Sequence, residues 1–316
     1  MNESPVTLDD IVAAHERIAP HVHRTPVLTS ATLDTLVGAT LFFKCENLQK
    51  IGAFKARGAH NAVFALPERA LQNGVVTHSS GNHAAALALA ARTRGIPAYI
   101  IMPSNAPKAK VASVQRLGGQ ITFCEPSVVA REAGAAQILK ETGATLVHPY
   151  NDNLIIAGQG TAARELLQEV EGLEAILAPV GGGGLLAGTA LAATASPGVH
   201  VYGTEPAGAD DARRSFLSGK LEPLGTPNTI ADGLRTQLGE IPFTLIQKHV
   251  TDIVTVSDEE IIQAMRLIWE ILKILIEPSS AVPVAALLQK RLPLTGKRVG
   301  IILSGGNVDL DQLPWQ

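Results

Sequence analysis

The chain has 316 residues, 46% of them apolar, and a formal net charge of -3 from 26 basic and 29 acidic side chains, enough for one large core or two joined lobes. The charges are scattered, with no basic stripe or aromatic-basic interleaving to follow a phosphate backbone, which argues against nucleic acid as a partner. Two cysteines, Cys45 and Cys124, give no disulfide framework or zinc spacing and fit a reducing cytoplasm, while an acidic start and the lack of any apolar run near ~18 residues predict a soluble chain without a signal peptide or membrane span.

In chain order, Thr7 with Asp10 three residues on predicts a helix start, with Ile11, Ala14 and Ile18 at helical spacing. Thr40 to Cys45 reads as a strand, and a helix follows from about Lys55 to Leu66. From Gly74 short apolar strands alternate with helices: Gly74 to Ser80, an alanine-rich helix, Ile96 to Pro103, a helix from Pro107 to Leu117, Gln120 to Cys124, a helix from Ser127 to Thr142, and Thr145 to Pro149. A second series runs through a helix at Gln159 to Val170, the strand Ala175 to Val180, a helix at Leu185 to Ala195 and the strand Val199 to Thr204. It continues with the strand Ile253 to Val256, helices around Glu260 to Ile274 and Ser280 to Lys290, and the strand Arg298 to Leu303. Such alternation predicts an α/β protein with parallel sheets in two domains, a large one from residues 1–73 and 149–316 and a small one from 74–148. Ser218 to Pro242, rich in Gly, Pro and Thr, is expected to be a long loop over one face.

Two stretches carry chemistry. In Lys44 to Ala59 one lysine, Lys55, sits between the ring of Phe54 and the small residues Gly52, Ala53, Ala56, Gly58 and Ala59. A desolvated lysine amine loses its proton more readily and so becomes a nucleophile for a cofactor aldehyde. Most lysines are instead solvated surface charges, so this stretch alone decides little. The second is Gly181-Gly182-Gly183-Gly184, straight after a strand and into a helix, where unshielded N–H groups at a positive helix end would hold a phosphate. Gly182, Gly184 and Ala187 also fit the dinucleotide pattern, with Glu205 at a following strand end, so an NAD-dependent oxidoreductase is a rival. That rival explains neither Lys55 nor the small-residue loop Ser304-Gly305-Gly306-Asn307 after the last strand.

Loops at strand carboxyl ends, Ser79-Ser80-Gly81-Asn82-His83, Gly181 to Gly184 and Ser304 to Asn307, together with Gly52 to Ala59, resemble the pyridoxal-phosphate enzymes of fold type II, the tryptophan synthase β-like fold. The resemblance covers nearly the whole chain and is to the threonine dehydratase and serine racemase family. It implies that Lys55 is the Schiff-base lysine with Phe54 packed beside it. It further implies that Gly181, Gly182, Gly183, Gly184 and Leu185 cradle the cofactor phosphate, that Ser304 faces the pyridine nitrogen, and that Asn82 contacts the 3′-oxygen. A serine partner leaves that nitrogen unprotonated and the ring a weaker electron sink. Ser79, Ser80, Asn82 and His83 match the substrate-carboxylate loop, and Ser80 matches the catalytic residue that exchanges the α-proton on the face opposite the lysine in racemases. His83 has the plainer alternative of a helix-terminal residue and Ser80 that of a carboxylate donor only.

Two departures narrow the reaction. Cysteine and threonine synthases usually carry aspartate directly after the lysine, where this chain has Ala56, and cysteine synthases have threonine in place of His83. The family commonly has glycine at Ser280 and often serine at Ala53. By the same resemblance Glu205, the Ala209 carbonyl and Asp211 form a structural Mg²⁺ or Ca²⁺ site. The expected activity is dehydration and deamination of a β-hydroxy amino acid, L-serine or L-threonine by default, to a 2-oxo acid and ammonia. The alternatives are serine racemisation as the main activity, a 3-hydroxyaspartate dehydratase, and a non-catalytic carrier of the cofactor. The resemblance implies a homodimer, and the short sequence after Ser304 suggests no effector domain and no isoleucine feedback.

Overall fold

A computed structural model describes residues 5–79, 81–106 and 108–315. The chain begins with α1 (Leu8–Ile18), β1 (Val27–Leu28), α2 (Ala31–Val37), β2 (Thr40–Cys45), α3 (Lys55–Phe64) and α4 (Glu68–Leu71). It continues through β3 (Val75–His78), α5 (Asn82–Arg94), β4 (Ala98–Pro103), α6 (Lys108–Arg116), β5 (Gln120–Cys124), α7 (Val128–Thr142) and β6 (Thr145–Leu146). It closes with α8 (Asn153–Glu169), β7 (Ala175–Pro179), α9 (Gly184–Ala193), β8 (His200–Pro206), α10 (Asp211–Ser218), α11 (Glu240–His249), β9 (Asp252–Val256), α12 (Asp258–Leu272), α13 (Pro278–Leu288) and β10 (Arg298–Leu303).

The strands form a six-stranded sheet in the order β1-β2-β10-β7-β8-β9 and a four-stranded sheet in the order β5-β4-β3-β6. Every pairing is parallel except that of the edge strand β1 with β2. Alternation along the strands divides the large core. Leu41, Phe43, Ile301 and Leu303 face α2, α12 and α13, whereas Ile176, Ala178 and Ile302 face α1, α8, α9 and α11. The alanine-rich face of α5 packs Ala84, Leu87 and Ala91 against Ile100 and Met102 of β4.

β10 pairs with β2 from Arg298↔Thr40 to Leu303↔Cys45 and with β7 from Val299↔Ala175 to Ile301↔Leu177. The carboxyl ends of β2, β10 and β7 therefore lie side by side, and the Lys55, Ser304 and glycine loops leave from one edge, where open α/β sheets place their ligands. α3 is seated on α8 at a bare backbone crossing: a Cβ at Gly158 would come within 2.6 Å of Gly58 Cα, and one at Gly58 within 2.4 Å of Gln159 Nε2. Any side chain at either glycine would push Lys55 off its seat.

The capping box expected at Thr7 is present, with Asp10 N to Thr7 Oγ1 at 3.4 Å and Thr7 N to Asp10 Oδ2 at 2.8 Å. Two expectations need correction. α8 starts at Asn153 rather than Gln159, because the Asp152 carboxylate caps it by accepting from Leu154 N at 2.7 Å and Ile155 N at 3.1 Å. The stretch Ser218 to Pro242 is not one loop: α11 starts at Glu240, and Pro242 sits in its first turn, where a missing N–H costs nothing. The short α2, capped by Ser30 Oγ on Leu33 N, and the antiparallel β1 add to the elements expected from sequence.

Candidate active site

Lys55 is the first residue of α3, and its position is set by the two loops beside it. Ile51 and Gly52 both take positive φ, 59° and 69°, which turns the chain back toward the end of β10. There Phe54 N donates to Ser304 O at 3.0 Å and Gly306 N donates to Gly52 O at 2.9 Å. The Lys55 amine is enclosed: Nζ donates to Pro149 O at 2.7 Å and lies 5.2 Å from the centroid of the Phe54 ring. Burial lowers its pKa to about 8. A useful fraction of the amine is then unprotonated near neutral pH, as a nucleophile or proton acceptor requires.

The segment after Pro149 joins Lys55 to the glycine run. A Cβ at Gly182 would lie 2.3 Å from the Tyr150 ring, and one at Gly183 would lie 2.6 Å from Leu238 Cδ1. Gly183 also has φ +89°, a conformation that L side chains rarely adopt. α9 starts directly from this run with no side-chain cap, and Gly181, Gly183, Gly184 and Leu185 are all buried. A buried helix end without a side-chain cap presents free N–H groups suited to an anion. The sequence reading assigned the four glycines to phosphate alone; packing under Tyr150, Leu234 and Leu238 is a second reason for them.

The loop after β3 closes the opposite side. Ser79 Oγ accepts from Gly81 N at 3.3 Å; Ser80 lies outside the described residues. His83 is 2% exposed, and its Nε2 is 3.2 Å from Val147 O, while Nδ1 is buried without a hydrogen-bond partner. Burial, then the charge of Lys55, holds its pKa well below the ordinary histidine value. A neutral ring that donates through Nε2 keeps a bare acceptor at Nδ1. His83 caps nothing, because the N-cap of α5 is Gly81. His148 and His78 stack edge-on at 5.6 Å, and burial followed by the charges of His78 and Lys55 lowers His148 to about 4.

Asn82 meets Glu277, which the sequence did not single out for the site, and Asn307 at the end of the loop after β10. Its Nδ2 donates into the Glu277 carboxylate, at 3.1 Å to Oε1 and 3.2 Å to Oε2, and its Oδ1 accepts from Asn307 Nδ2 at 2.9 Å. One Nδ2 hydrogen suffices for Glu277, so the second remains available to a ligand. Glu277 also accepts from Asn307 N at 3.3 Å, and burial, then the charge of Asp232, raises its pKa to about 7. Lys110 of α6 pairs with Asp232, tying the four-stranded sheet's helices to the other side of the cleft. A Glu-Pro at the start of α13 was the available signal: Glu277 is the N-cap residue of that helix, yet its side chain makes no capping bond and turns to Asn82 instead.

Behind the glycine run, Glu205 and Asp211 are buried together. Glu205 accepts from Ala212 N at 3.0 Å and Arg213 N at 2.9 Å; Asp211 Oδ2 accepts from Leu238 N at 2.8 Å, and Asp211 Oδ1 is buried without a partner. Burial raises both carboxyl pKa values, and their mutual repulsion adds to the shift at Glu205. Among the described residues no group of three His, Cys, Asp or Glu side chains is arranged to hold a metal.

An enclosed amine and an anion-seeking helix end on one sheet edge are what a phosphorylated aldehyde cofactor requires, and glycines that no Cβ could replace fit its phosphate. The chain belongs to the family of pyridoxal-phosphate dependent enzymes, which matches residues 18–305. The β-hydroxyaspartate dehydratase of Paracoccus denitrificans is 54% identical over 98% of this chain and 98% of its own length. The serine racemase of Arabidopsis thaliana is 52% identical over 96% of this chain and 93% of its own. The solved structure of maize serine racemase, 47% identical, superposes with a TM-score of 0.95 over 98% of this chain and 95% of that one. The cofactor is thus pyridoxal phosphate, and the dinucleotide reading falls with the family match. Among the described residues no helix is long and apolar enough to cross a membrane.

Proposed function

We propose that this enzyme dehydrates a β-hydroxy amino acid to an enamine whose hydrolysis gives a 2-oxo acid and ammonia, with 3-hydroxyaspartate preferred over the L-serine and L-threonine that the sequence put first. The enclosed amine of Lys55, poised near pKa 8 between the glycine cradle and the Ser79 to His83 loop, carries the general reading. For the substrate's second, side-chain carboxylate the partner assigned is Arg131 of α7, whose positive charge reaches both His78 and Tyr150 against the opposing charge of Glu132. The identity to the Paracoccus dehydratase points the same way.

The residues then divide the work. The N–H groups of Gly181 to Gly184 and Leu185 hold the cofactor phosphate, and Phe54 keeps water from Lys55. Ser79, Asn82 and His83 bind the α-carboxylate, with Asn82 also reaching the cofactor's ring oxygen and Ser304 its ring nitrogen. Lys55 Nζ takes the α-proton on one face, and Ser80 is the proton carrier assigned to the other. When bound, pyridoxal phosphate supplies the electron sink for the pair left behind by that proton. Loss of hydroxide from the β-carbon and hydrolysis of the released enamine complete a balanced conversion. Serine racemisation is the second reading, favoured by the plant relative. A substrate panel scored for keto acid and for the enantiomer of residual amino acid separates the two. Arg131→Met should lower kcat/KM for 3-hydroxyaspartate by roughly 10–100-fold more than for serine, as expected for one lost charged hydrogen bond. Equal losses on both substrates would sink the carboxylate reading.

Asp211 Oδ1, buried and unpartnered beside a second buried carboxylate, fits a divalent cation bound by Glu205, Asp211 and the Ala209 carbonyl, with water completing the shell. Such an ion would brace Leu238 against the glycine cradle. Mg²⁺ or Ca²⁺ should raise the melting temperature of the parent protein and leave Asp211→Asn unmoved; no shift in the parent refutes the site. Residues 74–148 form the small domain in this reading, the free thiols of Cys45 and Cys124 fit the cytoplasm, and the homodimer rests on the resemblance to the family. Light scattering at monomer mass, or recovery of the native enzyme outside the cytoplasmic fraction, would count against those assignments.

A further inference from the structure

His148 stands where the chain leaves β6 of the four-stranded sheet for α8. Its Nδ1 accepts from two backbone groups, Asn151 N at 2.9 Å and Tyr150 N at 3.3 Å. A backbone N–H can only donate, so Nδ1 carries a lone pair and the ring is neutral, with its hydrogen on Nε2. Burial, then the charges of His78 and Lys55, agrees with this by lowering the His148 pKa to about 4. Pro149 has no N–H to compete and a nearly fixed φ, so the imidazole closes a tight turn over it, as an asparagine or aspartate side chain does over its own backbone. The His148 and Tyr150 rings also meet edge to face, with centroids 4.7 Å apart.

Each residue inside this turn is tied to the site. Pro149 O accepts from Lys55 Nζ at 2.7 Å. The Tyr150 ring lies against the glycine run, where a Cβ at Gly182 would come within 2.3 Å of it and one at Gly184 within 3.2 Å of Tyr150 Cβ. Asn151 Oδ1 accepts from Ile241 N at 2.9 Å, beside Gly239, whose own N–H donates to Gly182 O at 3.2 Å. One ring nitrogen therefore orders the contacts of the amine and of the anion-seeking helix end together. We propose that His148 is a positioning residue whose Nδ1 lone pair fixes the spacing between Lys55 and the glycine cradle for bound pyridoxal phosphate. The proposal rests on the reading of Lys55 as the amine that holds the cofactor.

His148→Leu removes the acceptor and keeps a branched side chain in the turn. His148→Asn keeps an acceptor oxygen, and asparagine before proline favours the same turn. His148→Leu should raise the dissociation constant for pyridoxal phosphate and lower kcat, each by roughly tenfold, whereas His148→Asn should stay within about threefold of the parent in both. A residue that only filled space would give the reverse order. If both variants match the parent, or both lose equally, the role given to His148 is overturned. NMR of the parent carrying isotope-labelled histidine gives a second check, which holds even where His148→Leu misfolds. A His148 Nδ1 resonance typical of an unprotonated ring nitrogen near neutral pH supports the proposal, and a protonated Nδ1 refutes it. Lys55→Ala measured alongside keeps two failures apart. If it binds pyridoxal phosphate as tightly as the parent, the Lys55 reading fails and this proposal with it; if it loses the cofactor while His148→Leu matches the parent, only the role of His148 falls.

Discussion

Lys55→Ala is expected to lower keto-acid production by at least about 10⁴-fold while the protein keeps its circular dichroism and its cooperative unfolding. Two roles end together, because the same enclosed amine anchors the cofactor and accepts the α-proton. Lys55 holds one hydrogen bond, to Pro149 O, and has no ion-pair partner among the described residues, so its loss should cost the fold little. Burial of a group with a lowered pKa also opposes folding, since the unfolded chain carries the charge freely. The apo variant should therefore be no less stable than the apo parent at neutral pH. Added amines of small size are expected to restore some turnover to Lys55→Ala and none to a variant in the glycine run. Full turnover in Lys55→Ala would contradict the assignment.

The largest effect on stability is expected two residues further along α3. Arg57 is fully buried and grips two carboxylates in fork geometry: Nε and Nη2 donate to Glu46 at 2.7 and 2.8 Å, and Nη1 and Nη2 donate to Glu165 at 2.8 Å each. Lys44, also fully buried, adds a contact of 2.7 Å to Glu165. Two cations face two anions, so the group is close to neutral, and the attraction must offset a large desolvation cost. Burial opposes the Arg57 charge, and Glu46 and Glu165 more than compensate, keeping its pKa above the ordinary value. Arg57→Met leaves both carboxylates buried and facing each other, which should cost ~3–5 kcal/mol of unfolding free energy. Activity should fall as well, because this cluster ties β2 and α8 to the helix that starts at Lys55. Arg57→Met combined with Glu165→Leu should recover part of the lost stability, as removal of a whole ion pair is far milder than removal of one partner. A denaturant midpoint within error of the parent for the single variant would show that the cluster is not paired as described.

How much of this was legible in the sequence depends on range. The strands and the loops at their carboxyl ends could be read because short apolar runs bounded by small residues leave few other assignments. Lys55 stood out only when the glycine run and the other strand-end loops were set beside it, because its own stretch decides little. α8 was placed late because its signal, the Asp152 cap, lies before a glycine-bearing turn that weakens the helical pattern. α11 was missed because Pro242 looks like a breaker and is one only beyond the first helical turn. What sequence reasoning could not reach were partners distant along the chain. Asn82 meets Glu277 across 195 residues and Asn307 across 225, and Arg57 meets Glu165 across 108. No periodicity announces such pairs. A buried Glu before a proline, or an Arg among alanines and glycines, is the faint sign they leave.

The central claim is that one particular amine carries the cofactor. Reduction of the pyridoxal-phosphate-loaded protein with borohydride, followed by peptide mass mapping, tests it most directly. The account predicts a stable cofactor adduct on the peptide that contains Lys55 and on no other; an adduct on a different lysine, or none after full loading, would contradict it.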